Sequence, residues 1–307
     1  MSRDIAASVH QRLLNHAKKE GVRFNDVLQR YAMERWLYRL SKSEYRERFI
    51  LKGALLLIAW DLPVTRPTRD IDMLARVQND LDGIRQLIGD LCRVECEEDG
   101  LIFAAESVTT ERIAEDALYE GVRAKFNGSL GNARIAMQID LGFSDVVTPS
   151  PVDLIYPTIL DQPAPRLKAY NRETAIAEKL DVMVKLGELN SRMKDYYDLW
   201  TLARHFEFDG SVLTDAIKAT LERRGRRLQT NQLPGLEDAF AQTPSKQTQW
   251  KAFLRRTVPD QQDVELKEVV STIRAFLSPL LTGISAGEPF EKQWKPKRGW
   301  TRGGNSK

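Results

Sequence analysis

Apolar positions along the chain change period twice. Up to about residue 60 the spacing is helical. Val9, Leu13, Leu14 and Ala17 fall on one face, and "FNDVLQRYAMERWLYRL" carries an amphipathic run to Leu40 with Asn25 as its expected N-cap. "FILKGALLLIAWDL" reads as a further helix opening near Gly53. "RPTRDIDML", residues 66–74, reads as a strand, and "QNDLDGIRQLIGDLC" as a surface helix with Leu81, Ile84, Leu87, Ile88 and Leu91 inward. Over residues 101–143 the period becomes two. "GVRAKFNG" and "ARIAMQIDLGF" flank "NGSLGN", the expected hairpin connection. In the second of these strands Ile135, Met137, Ile139 and Leu141 share one face, and Ala136, Gln138 and Asp140 the other. A proline-rich stretch, "TPSPVDLIYPTILDQPAPRL", predicts irregular chain with an extended piece at residues 153–156. Beyond it the helical period returns in "RETAIAEKLDVMVKLGEL", "RMKDYYDLWTLARHF", "SVLTDAIKATLERR", "QTQWKAFLRRT" and "ELKEVVSTIRAFLSPLL".

Helices, then mixed strands and helices, then helices alone predict an α+β chain: a mixed-sheet domain followed by a helical one. The expected divisions are residues 1–165, 166–285, and a basic, flexible tail over 286–307. That tail holds six basic residues (Lys292, Lys295, Lys297, Arg298, Arg302, Lys307) against Glu288 and Glu291, together with Trp294 and Trp300. The net charge of the whole chain, +3, is too small to point to a partner.

Two cysteines, Cys92 and Cys96, have no second pair to complete a metal site, and they read as reduced thiols. The three histidines form no zinc-binding spacing. The longest apolar run, "ALLLIAW", is too short to cross a bilayer, and "MSRDIAASVHQ" lacks the apolar core of a signal peptide. The expected location is the cytoplasm, with no membrane partner.

The chemistry gathers around Asp70 and Asp72. Separated by two on a strand, they point the same way and repel each other. A divalent cation, Mg²⁺ or alternatively Mn²⁺, supplies the missing counter-charge, since such ions take one or two carboxylates and complete their shell with water and phosphate oxygens. Asp140, on the polar face of a neighbouring strand, is a third carboxylate on the same side, as two-metal phosphoryl transfer requires. An Asp-x-Asp pair alone reads more readily as solvated surface acids than as a site. Its surroundings favour a site: Lys52, Gly53 and Ala54 stand at a predicted helix start, where backbone N–H groups receive phosphate, and Arg66, Thr68 and Arg69 precede the acids.

A second signal lies downstream. Ile176, Leu180, Met183, Val184 and Gly187 form an apolar stripe, and Lys179 projects to its edge. On the next helix Asp195 projects into the face defined by Leu199, Leu202 and Phe206, with Asp198 at its margin. Inward lysine and aspartate on consecutive helices fit either a structural ion pair or a functional site.

A Gly-small turn followed by Asp-x-Asp is the order seen in polymerase-β-type nucleotidyltransferases, although Ala54 stands where serine is usual. Together, "FILKGALLLIAW…RPTRDIDML", "AEKLDVMV" and "RMKDYYDLW" resemble the AbiEii/MenT family of nucleotidyltransferase toxins of bacterial toxin–antitoxin and phage-defence systems. The resemblance implies a polymerase-β-like catalytic domain. Asp70 and Asp72 would be its metal pair, with Thr68 the hydroxyl two residues before. Lys179 would contact the triphosphate, with Asp198 beside it. Asp195 would be the acid of "KDYYDL", and Asp140 the third carboxylate. It further implies transfer of an NMP from an NTP to RNA, most plainly a tRNA 3′ end, and a cognate antitoxin from a neighbouring gene that forms no stable complex. Two other functions stay open on the same residues: nucleotide transfer to a protein hydroxyl, and nucleotide binding without turnover, which Ala54 in place of serine would suit. "ERRGRR" and the tail mix cations and aromatics, as RNA binding requires.

Overall fold

Seven strands with alternating or continuous apolar residues associate into one mixed sheet, and four helices accompany them. This computed structural model describes residues 2–62, 67–116, 119–226 and 233–302. The chain forms two compact units. The first takes the N-terminal residues to Asp61, Pro67–Asp145 and Val152–Ala169, and the second takes Val146–Pro151 and the chain from Tyr170, with a short piece opening at Leu62. The last change of unit along the chain lies at Ala169/Tyr170.

In the first unit the elements are α1 (Ser2–Glu20), α2 (Phe24–Lys42), β1 (Phe49–Lys52), α3 (Leu55–Ala59), β2 (Ile71–Ala75), α4 (Leu81–Arg93), β3 (Leu101–Asp116), β4 (Tyr119–Leu130), β5 (Ala133–Gly142), β6 (Val152–Ile155) and β7 (Arg166–Ala169). The sheet order is β3-β4-β5-β2-β1-β7-β6. β2 runs parallel to β5, β1 runs parallel to β7, and the other neighbours are antiparallel. The predicted alternation in β5 holds: Ile135, Met137, Ile139 and Leu141 are buried. Trp36 of α2 packs against Phe126 of β4 on that side.

Four local expectations are corrected. "FILKGALLLIAWDL" is not one helix: Phe49–Lys52 is an inner strand and only Leu55–Ala59 is helical. Phe49, Ile50 and Leu51 are all buried, and a short, wholly apolar run does not distinguish strand from helix by period. The hairpin turn is narrower than "NGSLGN". The strands pair up to Leu130↔Ala133, leaving Gly131 at φ 56° and Asn132 to make the turn. α2 starts one residue before Asn25, with Arg23 at its N-cap and no side-chain cap. Finally, the proline-rich segment contributes β7 as well as the expected extended piece, seen as β6.

The second unit contains α5 (Arg172–Leu186), α6 (Met193–His205), β8 (Phe208–Asp209), α7 (Gly210–Arg223), α8 (Asp238–Gln242), α9 (Pro244–Thr257), α10 (Leu266–Ala286), β9 (Lys292–Lys295) and β10 (Gly299–Arg302). α10 is long and apolar enough to cross a membrane, yet Leu266, Val269, Val270, Ile273, Phe276, Leu277, Leu280 and Leu281 form a buried stripe of the core-helix kind. The segment expected to be a flexible tail is ordered through Arg302 as a hairpin. Its indoles explain why: Trp294 donates to Ala203 O at 2.7 Å and Trp300 to Phe276 O at 2.8 Å, with the Trp300 ring stacked on Phe276.

The first unit also buries a charge cluster. Arg39 grips Asp99 with contacts of 2.6 and 3.2 Å, Arg35 approaches Asp99 at 3.4 Å, and all three side chains are at most 3% exposed. Removing one member of such a cluster strands the others away from water. Asp99→Ala is expected to lower stability by about 3–5 kcal/mol, read as a fall in the urea midpoint.

Candidate active site

Strand register, more than any single motif, builds the site. Lys52 of β1 lies opposite Asp72 of β2, Asp72 beside Asp140 of β5, and Asp140 opposite Arg123 of β4. Residues in register share a sheet face, so the four form a row: lysine, aspartate, aspartate, arginine. Asp70, two residues before Asp72, joins them. Carboxylate oxygens of Asp70, Asp72 and Asp140 all lie within 4.8 Å of one another, and all three residues are half-buried.

Contacts within and beside the row fix its charges. Arg123 donates to both oxygens of Asp140, Nε to Oδ1 at 2.8 Å and Nη2 to Oδ2 at 2.7 Å. This fork raises the guanidinium pKa above its ordinary value. Gln138 reaches the same carboxylate at 3.3 Å. Lys52 Nζ meets the buried Asp145 at 2.5 Å. Thr68 donates its hydroxyl to Asp70. Gly53 stands at φ 75°, and a Cβ there would overlap the Asp72 carboxylate, 2.6 Å from its Cγ. Both the backbone angle and the close approach therefore require glycine.

The predicted phosphate cradle at a helix start takes a different form. Lys52 ends a strand, Ala54 is buried, and α3 is a single short helix whose Leu56 and Leu57 N–H groups bond to Gly53 O and Ala54 O. Lys52 and Gly53 belong to the site through the row and through contact with Asp72. Arg69 is exposed and directly precedes Asp70. Arg66 lies outside the described residues.

Lys179, Asp195 and Asp198 are brought together in the second unit. Asn171 caps α5 by accepting from Thr174 N at 2.7 Å. Lys179, two turns on, contacts Asp198 at 2.7 Å and Asp195 at 3.1 Å, both on α6. Arg192 adds a 2.6 Å contact to Asp195. Both acids are almost fully buried, so Asp198 lies deeper than the margin expected for it. Burial alone would raise the Asp195 pKa, but Lys179 and Arg192 outweigh it and hold it at about 2.

Two partners escaped sequence reasoning. Arg123 lies on the polar side of an alternating strand, like any solvated arginine, and Asp145 lies past the end of β5. The β4–β5 register shows what Arg123 holds, and the ion pair to Lys52 shows what Asp145 holds.

A family model described as the nucleotidyltransferase AbiEii toxin of type IV toxin–antitoxin systems matches residues 35–278. Among solved structures, MenT4, a nucleotidyltransferase toxin from Mycobacterium tuberculosis H37Rv, aligns with a TM-score of 0.49 at 15% identity, covering 92% of this chain and 99% of that one. JHP933 from Helicobacter pylori aligns with a TM-score of 0.47 at 13% identity, covering 85% and 92%. None of the curated proteins compared with the chain matches it.

Two outcomes are expected from this geometry. Gly53→Ala should displace the Asp72 carboxylate and remove most activity while the urea midpoint falls only modestly, by about 1 kcal/mol. Asp195 has a lowered folded pKa, so its contribution to stability is complete above the unfolded value near 3.8 and is lost as pH falls toward 2. Unfolding midpoints measured down that window should drop less steeply in Asp195→Asn than in the wild type.

Proposed function

We infer the reaction from this site and one further fact: the chain belongs to the AbiEii family of nucleotidyltransferase toxins of type IV toxin–antitoxin systems. The family carries an NTP substrate, a divalent metal and an antitoxin partner with it. The finer reading is transfer of an NMP from the NTP to an RNA hydroxyl, at a tRNA 3′ end, in the cytoplasm, so that translation stops. The antitoxin, from a neighbouring gene, opposes the toxin without a stable complex.

The convergence of three carboxylates with Gly53 against one of them carries this reading. The donor set is all oxygen, which fits a hard cation. Asp70 and Asp72, with Asp140 as third ligand, would hold Mg²⁺, which supplies charge neutralisation and polarisation of the α-phosphate when bound.

The chain's own residues do the rest. Thr68 fixes Asp70, Gly53 leaves room at Asp72, and the Arg123 fork sets the orientation of Asp140. The acceptor hydroxyl attacks the α-phosphorus in line. Its oxygen forms the new bond, the bond to pyrophosphate breaks, and the hydroxyl proton passes to Asp140. Lys52 and Arg69 offer positive charge to the triphosphate on the first unit. Within the second unit, Asp195 and Asp198 hold the Lys179 ammonium in place.

Purified protein incubated with each labelled NTP and total RNA tests this directly. Label should enter RNA, depend on Mg²⁺, and fall by more than about 100-fold in Asp72→Ala, beyond the loss typical of an outer-shell partner. Label in no RNA from any nucleotide would refute the reading, and label in the protein fraction would replace it with protein modification.

A further inference from the structure

β5 is paired unequally along its length. β4 runs beside residues 133–141, whereas β2 joins only from Ile139 onward. Among the described residues, the stretch 133–138 therefore has a strand on one side only. The first turns of α2 occupy part of the open side, and Gln29 Nε2 donates to Ala136 O at 3.0 Å. Between them remains a groove of about 740 Å³, lined on its polar side by Gln29, Arg69, Lys125, Asn127, Arg134 and Gln138. One end abuts the acidic cluster, because Gln138 bonds to Asp140 and Arg69 adjoins Asp70.

The charge of the groove is lopsided. Three cations line it against one carboxylate, Asp26, which Arg23 already engages at 2.8 Å. Lys125 shares its charge with Glu111 at 2.6 Å. Arg69 and Arg134 are exposed, and among the described residues neither makes an ion pair. The apolar lining residues Leu28, Phe126, Ile135 and Met137 are at most 5% exposed, so a peptide would find little apolar surface to anchor on. Unpaired guanidinium groups over a floor of amides instead match phosphodiesters and base edges.

The row of charges gives the groove a direction. Lys52 and Gly53 flank Asp72 on the β1 side, and Asp140 flanks it on the β5 side. An in-line displacement sends the leaving group and the nucleophile to opposite sides of the reacting phosphorus. With the triphosphate on the β1 flank, the acceptor hydroxyl arrives along the β5 flank, where the groove opens. We propose that this groove seats the single-stranded end of the RNA acceptor, with Lys125 and Arg134 on its backbone phosphates and Arg69, at the acid-cluster end, left to the triphosphate. The proposal rests on the RNA-transfer reading above.

Anisotropy of a labelled, short, single-stranded oligoribonucleotide, measured over a salt series on the full chain, tests it alongside the transfer assay. Arg134→Glu and Lys125→Glu should each weaken RNA binding by about 10-fold and flatten the log K against log salt slope by about 0.7 per lost contact. The KM for NTP should stay unchanged in both variants, which also reports that they fold. Arg85→Glu, the same charge change at an exposed α4 residue that does not line the groove, should leave RNA binding within about 2-fold, because exposed charges off the contact surface are screened. Wild-type transfer to RNA with both groove variants binding RNA like the wild type would overturn the groove while the RNA reading stands. A rise in the KM for NTP that matches the loss of RNA affinity would give the groove to the nucleotide instead. Label in protein and none in RNA would remove the RNA reading and the groove's occupant together.

Discussion

Two aspartates side by side in the middle of a sheet are the constraint around which this molecule is arranged. Asp72 and Asp140 are in register on adjacent strands, and like charges so placed are destabilising. The sheet places opposite charge at both ends of the row, Lys52 on β1 and Arg123 on β4. Neither is left to swing, since Asp145 holds the ammonium and Asp140 itself takes the guanidinium fork. Asp70 adds a third carboxylate within 4.8 Å on the same side.

The surrounding elements serve that row. β1 must be an inner strand to carry Lys52 beside Asp72, and the chain must then turn away at Gly53 without a side chain, because the Asp72 carboxylate fills that space. β2 begins just after Asp70, so the acid pair stands where the strand starts. Because β2 starts only opposite Ile139, the first half of β5 has, among the described residues, a strand on one side only. Acid cluster and groove are thus two consequences of how β2 and β5 are staggered.

Much of this was legible from residue order. Period two in β5 placed Asp140 on the polar face, and the i, i+2 spacing placed Asp70 with Asp72. What stayed hidden was pairing between segments distant in sequence. A strand's own pattern fixes which face a side chain takes, but not which strand lies beside it, so Arg123 looked like a solvated arginine. "FILK" was misread because an inner strand is apolar on both faces and has no period to read. The tail was misread because its cations dominate its composition, while its order depends on two indoles that find carbonyl partners within the second unit. The nearness of Lys179 to Asp195 was readable because consecutive helices on a short turn must pack together. Whether such a pair only joins helices or also meets substrate is not written in helical spacing.

The Arg123 fork bears on what Asp140 can still do. A carboxylate has about four lone-pair sites, and a bidentate guanidinium uses one on each oxygen. Arg123 approaches from β4, so the sites it occupies lie on the side away from Asp72. Gln138 adds a longer contact to the same carboxylate at 3.3 Å, and a carboxylate oxygen of Asp140 still lies within 4.8 Å of Asp70 and Asp72. An arginine placed there therefore does not silence the acid. It removes rotational freedom from Asp140 and so fixes the orientation of one of three mutually repelling carboxylates.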